Sequence, residues 1–415
     1  MAQPEPVAPS VDTLSRRNGT GIDRIRQIVS LSDSLIDELR NLAFEPDKAK
    51  QLKRRYTITQ VADMVGRSAN GIRKAESSGA LPKPEVDGSG RRTGYTLPEV
   101  NRIRDYFNIQ CGRLEQEEPI RLAIQNFKGG VGKSTLCTHF AQYLAERGMR
   151  VLVIDCDSQA STTTTFGIRP DLDLRSEDTL LPYFEYDEPD LAYAVRPTYW
   201  DRLDIIPSNL SLYSAEYELA ANAGQSGAGW IDRLHEGIST IENAYDVVII
   251  DPPPALGMIS LNVVRAANAL VIPTPPAMYD FHSTVTFFRM MEEVLSSVED
   301  AIGEPLNYKF MKLLISKFDP GKSAQDFMVN LMSDHYSRYI LNGVIKDSAE
   351  IDNAGADWHT VYELEKATTS SKTYKRCLVS LNAVFKELEL LIRSTWPSHS
   401  EALEEEGVMI REAGL

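Results

Sequence analysis

Cysteine is scarce in this chain of 415 residues: Cys111, Cys137, Cys156 and Cys377, far apart and with no C-x-x-C pair. That argues against a zinc site or a disulfide framework and fits a reducing cytoplasm. Long apolar runs are also missing. No stretch approaches the roughly 18 consecutive apolar residues that span a bilayer. The opening Met1-Ala2-Gln3-Pro4-Glu5-Pro6 has neither the basic start nor the apolar run of a signal peptide. A cytoplasmic protein with no membrane partner is therefore expected. Positive charge is short overall, with a formal net charge of −15, which at first disfavours a nucleic-acid partner.

The deficit is uneven. Between Pro46 and Arg113 there are 14 Lys or Arg against 7 Asp or Glu, a local charge of +7 that leaves −22 for the rest. A basic module on an acidic body points back toward nucleic acid. Residues 1–20 are Pro- and Ser-rich and expected to be disordered. Residues 21–45 place Ile22, Ile25, Ile28, Val29, Leu35, Ile36, Leu39 and Leu42 on one helical stripe. That stripe suits either a helix packed on its own domain or a dimerisation arm.

Residues 46–113 read as a winged helix-turn-helix. A short helix over 57–65, the turn Gly66-Arg67-Ser68 and a helix over 69–78 match the motif whose second helix enters the major groove. Arg67, Asn70, Arg73 and Lys74 would face DNA. The glycine-bounded stretch 88–95 carries Arg91 and Arg92 as a wing on phosphate or minor groove. Pro98 sits early in a third helix beginning near Thr96.

From Ile120 the pattern changes to short apolar strands, at 120–124, 150–155, 203–207, 245–251, 269–273 and 312–315, alternating with helical stretches. This predicts an α/β domain over 118–398, a mostly parallel sheet covered by helices on both faces. An amphipathic helix over 371–396 would end it, and 399–415 would form a loose acidic tail. The first strand feeds Lys128-Gly129-Gly130-Val131-Gly132-Lys133-Ser134-Thr135 and then a helix. Such a P-loop turns backbone N–H groups toward phosphate, sets a lysine on it and offers a hydroxyl to Mg²⁺. The common pattern has glycine five positions before Gly132; here Phe127 stands there, and Lys128 adds a second lysine. Asp155 and Asp157 follow the second strand and Asp251 ends the fourth, so the three acids converge where ligands of open parallel sheets sit. One could hold Mg²⁺ through water, and one could orient the attacking water.

At these residues the chain resembles the ParA/MinD class of deviant-Walker ATPases: K-G-G-x-x-K-[ST] at 128–134, and D-x-D-P-Q-A at Asp155 to Ala160, with Ser158 in place of proline. With the winged module and the ending Thr373-Tyr374-Lys375-Arg376, the likeness extends to the RepA group, ParA-type partition ATPases of repABC replicons. It implies two subunits sandwiching two ATP molecules, with Lys128 reaching the partner's phosphates and Lys133 holding its own subunit's. It further implies Ser134 on Mg²⁺, Asp251 holding the metal through water, Asp155 near the metal, and Asp157 at the water. Lys372, Lys375 and Arg376 match the region of nonspecific DNA contact. The job implied is nucleoid-associated, ATP-driven plasmid partition, stimulated by a ParB-type centromere-binding partner, with repression of its own operon. A nucleotide-gated repressor in which hydrolysis is incidental is the alternative. Neither a basic membrane-binding C-terminal helix nor cluster-binding cysteines between Cys156 and Cys377 are present. Loops after Pro273 and Ile315 are candidates for base contact.

Overall fold

In the computed structural model, residues 20–43, 50–223 and 229–408 are described. The expected disordered N-terminus up to residue 19 and the last residues of the acidic tail lie outside the described residues. The chain divides into two units, Met1–Lys50 and Gln51–Leu415. In the first, the helix Gly21–Ala43 forms as its periodicity requires, closed by reciprocal hydrogen bonds between Thr20 and Asp23. Of its apolar stripe, Ile22, Ile25, Ile28, Val29, Leu35 and Ile36 are 41–58% exposed.

The second unit is built on an eight-stranded sheet. Its strands are β1 Ile120–Ile124, β2 Val151–Asp155, β3 Arg196–Pro197, β4 Leu203–Ile206, β5 Val247–Asp251, β6 Ala269–Thr274, β7 Phe310–Phe318 and β8 Ile340–Lys346. The order is β3-β4-β2-β5-β1-β6-β7-β8, all parallel except the β3–β4 pair. The central strands are buried on both faces, so they are apolar throughout rather than alternating. Odd and even positions still go to different layers: Val151, Val153, Val247 and Ile249 to one, and Leu152, Ile154, Val248 and Ile250 to the other. Within β1, Arg121 is neutralised by a bidentate pair with Glu242 at 2.5 and 2.6 Å. No helix among the described residues is long and apolar enough to cross a membrane.

The helices of the basic segment form where expected: Ile58–Val65, Ala69–Ser77 and Leu97–Tyr106. Thr57 and Gln60 make a capping box on the first, and Gly66 ends it at φ 63°, which favours glycine. The boundary expected between residues 113 and 118 does not separate two units. Val61, Val65, Ile72, Leu97 and Val100 belong to the same apolar cluster as one face of the sheet. Polar ties reinforce the union. Arg104, 1% exposed, donates to the Glu146 carbonyl at 2.7 Å, at the C-terminal end of the helix that follows the P-loop. There a guanidinium satisfies an end carbonyl and meets the negative end of the helix dipole. Asn101 donates to Asp201 at 2.7 Å, and Arg202 to Asp105 at 2.5 Å.

Two strands were not expected. Pro-bearing β3 is two residues long, and β8 contains Asn342-Gly343, which reads as a turn. The glycine is there because the terminal helix Ser371–Arg393 crosses closely: a Cβ at Gly343 would lie 2.8 Å from Val384 Cγ2. β8 is an edge strand, and that helix masks it. Glu387 accepts the Asn342 and Gly343 N–H groups at 2.9 and 3.0 Å. Ser380 accepts the Lys346 N–H at 3.0 Å and donates to the Val344 carbonyl at 2.8 Å.

The segment after Pro397 is not loose through residue 408. It turns into a short helix, Ser400–Glu405, with Leu403 buried. Trp396, 1% exposed, donates from Nε1 to the Glu118 carbonyl at 3.0 Å. Ser398 donates to Glu117, and Arg393 pairs with Glu406 at 2.7 Å. Apolar burial and these pairs override the acidity that suggested a free tail.

Candidate functional site

β1 delivers the chain to the loop at the centre of the sheet, where the topology reverses direction. Asn126 fastens the entry: its Oδ1 accepts the Lys128 N–H at 3.0 Å and its Nδ2 donates to the Pro273 carbonyl at 2.9 Å. Phe127, where the common motif has glycine, packs edge-on against Phe287 at 4.8 Å. Gly130 and Gly132 have φ of 76° and 96°, values that favour glycine. Gly132 caps the helix Lys133–Glu146, whose first N–H groups open toward the loop. Ser316 donates to the Val131 carbonyl at 3.1 Å and holds the loop from the β7 side.

Lys133 is 7% exposed, and its ammonium donates to the Lys128 carbonyl at 3.2 Å. Burial draws its pKa below the ordinary lysine value, against the attraction of Asp251 and Asp157.

The three carboxylates are brought together as expected, and their environments differ. Asp155 and Asp251 are register partners across β2 and β5, both fully buried. Asp251 Oδ2 accepts from the Thr162 hydroxyl at 2.7 Å, and Ser134 faces the same carboxylate. Its Oδ1 is buried without a hydrogen-bond partner among the described residues. Asp155 is held on both oxygens, by the N–H and hydroxyl of Thr163 at 2.8 and 2.7 Å and by the Asp157 N–H at 3.1 Å. Expected beside the metal, Asp155 stands next to Asp251 and also anchors the following loop. Burial, then the nearby Asp251 charge, raises the pKa of Asp155; burial also raises that of Asp251. Asp157, 9% exposed, is raised by burial and has one oxygen on the Gln159 N–H at 2.9 Å.

The site fits a magnesium nucleotide. The unpartnered Asp251 oxygen, the hydroxyl of Ser134 and the glycine cradle are an oxygen donor set suited to Mg²⁺ and phosphate. Thr162, Thr163 and Asn126 were not singled out from sequence. The run Ser161-Thr162-Thr163-Thr164-Thr165 was the visible signal for two of them. Ala160, at φ 55°, turns the chain into that run.

Arg67, Asn70, Arg73 and Lys74 are exposed on or just before the helix Ala69–Ser77, and Arg91 is exposed in the stretch 88–95. Arg92 is exposed as well, its side chain 41% so, and it also forms an ion pair with buried Glu76 at 2.7 Å. Lys372, Lys375 and Arg376 are exposed at the start of the terminal helix. They rim a groove of about 640 Å³ that Lys346 also lines, a cation missed in the sequence because it ends an unexpected strand.

Residues 120–303 match the family model of an AAA domain (AAA_31). Protein SopA of Escherichia coli strain K12 is 32% identical over 386 residues, covering 90% of this chain and 98% of SopA. The cell division protein PomZ of Myxococcus xanthus is 28% identical over 307 residues, 74% of this chain and 86% of PomZ. A solved structure described as a partition protein has the same fold, with a TM-score of 0.63 at 20% identity over 90% of this chain and 99% of that one. Near-complete overlap with SopA carries the assignment from the loop to the whole chain: it belongs to the ParA/Soj/SopA family of P-loop ATPases, related to the ATPases of chromosome and plasmid partitioning, and hydrolyses ATP.

Proposed function

We propose that the chain is a plasmid or replicon partition ATPase whose ATP-bound dimer holds DNA and is released when a ParB-type centromere-binding protein stimulates hydrolysis. The observation that carries the reading is the Asp251 carboxylate, buried with one oxygen unpartnered beside Ser134 and within the field of Lys133. Bound Mg²⁺ would neutralise phosphate charge and align the terminal phosphoryl group. Ser134 and Asp251 would hold the metal, Asp251 through water. Gly129 to Thr135 would cradle the phosphates with their N–H groups, and Lys133 would move from the Lys128 carbonyl onto them. Asp157, nearest the surface of the three acids, would orient the attacking water. Asp155 would position that loop through Thr163.

Lys128 would act across the dimer. The exposed rim at the same end of the sheet suits a second copy: Tyr213 and Tyr217 after β4, Leu256 after β5, and Met278 and Tyr279 after β6 are 36–90% exposed. The apolar stripe of Gly21–Ala43 would pair as a dimerisation arm. The recognition helix and wing would bind the operator for autorepression. Lys346, Lys372, Lys375 and Arg376 would bind nonspecific DNA on the nucleoid. The base would lie between Gly132 and Thr135 on one side and Ser316 and Lys317 on the other, where a pocket opens.

ATPase rate measured alone, with nonspecific duplex and with the partner protein tests this. Stimulation by both is expected, and a rate that ignores both overturns it. Lys128→Gln should bind nucleotide as a monomer and lose the ATP dimer in light scattering; a normal dimer would remove the cross-subunit role. The repressor reading draws support from the Arg104 tie between operator module and P-loop helix. It expects Asp157→Ala to keep both operator binding and stable plasmid inheritance, whereas partition expects inheritance to fail.

A further inference from the structure

The pair between the wing and the recognition helix gives Arg92 a different task from its neighbour Arg91. Glu76, in the last turns of the recognition helix, has a side chain only 1% exposed. Its Oε2 lies 2.7 Å from Arg92 Nη1, and its Oε1 accepts from the Tyr95 hydroxyl at 2.5 Å. Arg92 also donates to that hydroxyl at 3.1 Å. One buried carboxylate thus ties together the recognition helix, the wing and the extended segment that pairs with Tyr56.

Taking Arg92 away to a phosphate would leave the Oε2 of buried Glu76 without its ion-pair partner, a loss that one solvent-exposed ion contact does not offset. Successive side chains along an extended segment face opposite ways. Arg92, bridged to Val86 and turned to Glu76, leaves Arg91 on the other side. The wing tip beyond is closed on itself: Asp87 Oδ1 accepts from the Ser89 N–H, the Ser89 hydroxyl and the Arg91 N–H at 2.9, 2.7 and 2.9 Å. A stiff tip on a braced root moves as one piece.

We propose that Arg92 is a positioning residue, which locks the wing to the recognition helix through Glu76 and so sets how Arg91 and the helix cations meet one duplex. The proposal rests on the DNA-binding reading above, and the experiment separates the two. Binding of the fragment upstream of the coding region, and of a random duplex of equal length, is followed by fluorescence anisotropy across a salt series. Arg91→Ala should make the log–log salt dependence shallower by about 0.9, one phosphate contact. Arg92→Met should weaken binding of the upstream fragment on the order of tenfold, as when only a tenth of molecules hold the competent wing, with the salt slope unchanged.

Glu76→Gln should weaken binding in the same way, and the double variant should be no worse than the worse single. In DNA-free protein, amide exchange at 87–91 should speed up in Arg92→Met, a readout that needs no operator and applies even where a Glu76 variant folds poorly. A slope reduced by Arg92→Met as by Arg91→Ala, or full rescue by Arg92→Lys, overturns the brace. If wild type binds both duplexes equally and Arg91→Ala and Arg73→Ala change nothing, the DNA-binding reading fails, and the brace loses its purpose.

Discussion

Lys133 keeps its ammonium in a mostly buried place against one carbonyl. Without nucleotide this is a cost rather than a contribution. Lys133→Ala should therefore melt no lower than wild type in the absence of ATP. Wild type should gain about 2.7 kcal/mol of stability at ATP a hundredfold above its Kd, and the variant none; a nucleotide-induced rise in the variant's Tm would refute the role. A second prediction concerns His139, 3% exposed. Its Nδ1 is 2.7 Å from the Thr135 carbonyl and its Nε2 accepts the Val361 N–H at 3.3 Å. That geometry fixes a neutral ring, and burial lowers its pKa from 6.5 to about 4. The unfolded chain takes up the proton first. The stability His139 gives is complete above about pH 6.5 and is lost as pH falls toward 4. The raised pKa values of Asp155 and Asp251 act with the opposite sign, so the variant comparison isolates the histidine. His139→Gln can make the same two hydrogen bonds. Between pH 7 and 5, wild type should lose about 2 kcal/mol more than the variant in urea unfolding; parallel losses would refute it.

At the scale of elements, the masked edge of β8 invites a test. Glu387→Ala uncovers two backbone N–H groups, with a stability loss of about 1 kcal/mol. It should also produce concentration-dependent self-association in light scattering, because an open edge is a template for pairing. A variant as monomeric as wild type at every concentration would show that the carboxylate has no such role. β8 also marks where sequence reading stops. β1, β2, β4, β5 and β6 were legible because strands buried on both faces are short apolar runs, and the P-loop because its spacing is dictated by phosphate. Asn342-Gly343 reads as a turn until the helix crossing over it is known. Arg92 reads as a DNA contact, and its ion pair with buried Glu76, sixteen positions earlier, leaves no mark in the local spacing. Thr162 and Thr163 were hidden for a related reason: a hydroxyl's partner is set by tertiary structure, not by spacing.

For the whole molecule, the last turns of the chain close the body rather than trail from it. Trp396 fills a buried site against the segment leading into β1, and His399 Nε2 lies 2.9 Å from the Gly112 carbonyl. Trp396→Ala should cost about 3–5 kcal/mol, the range for emptying a core aromatic site. A change below 1 kcal/mol in denaturant unfolding would mean the tail is dispensable. The chain's charge asymmetry is a property of this same scale: the basic segment shares its core with an acidic body.

The guanidinium of Arg104 on the Glu146 carbonyl has an evolutionary reading. The helix that presents its start to phosphate has its end closed by a residue from the segment proposed above to read DNA, so the two parts are not interchangeable cassettes. On that proposal, exchanging residues 51–113 alone would not transplant a relative's operator specificity. The graft must bring its own lining for Glu146, Gly148, Asp201 and Arg202, or the donor's arginine will find no seat. On the same proposal, lineages that change operators would do so by substitutions within residues 69–77 and 88–95, inside an inherited joint, rather than by recombination across it.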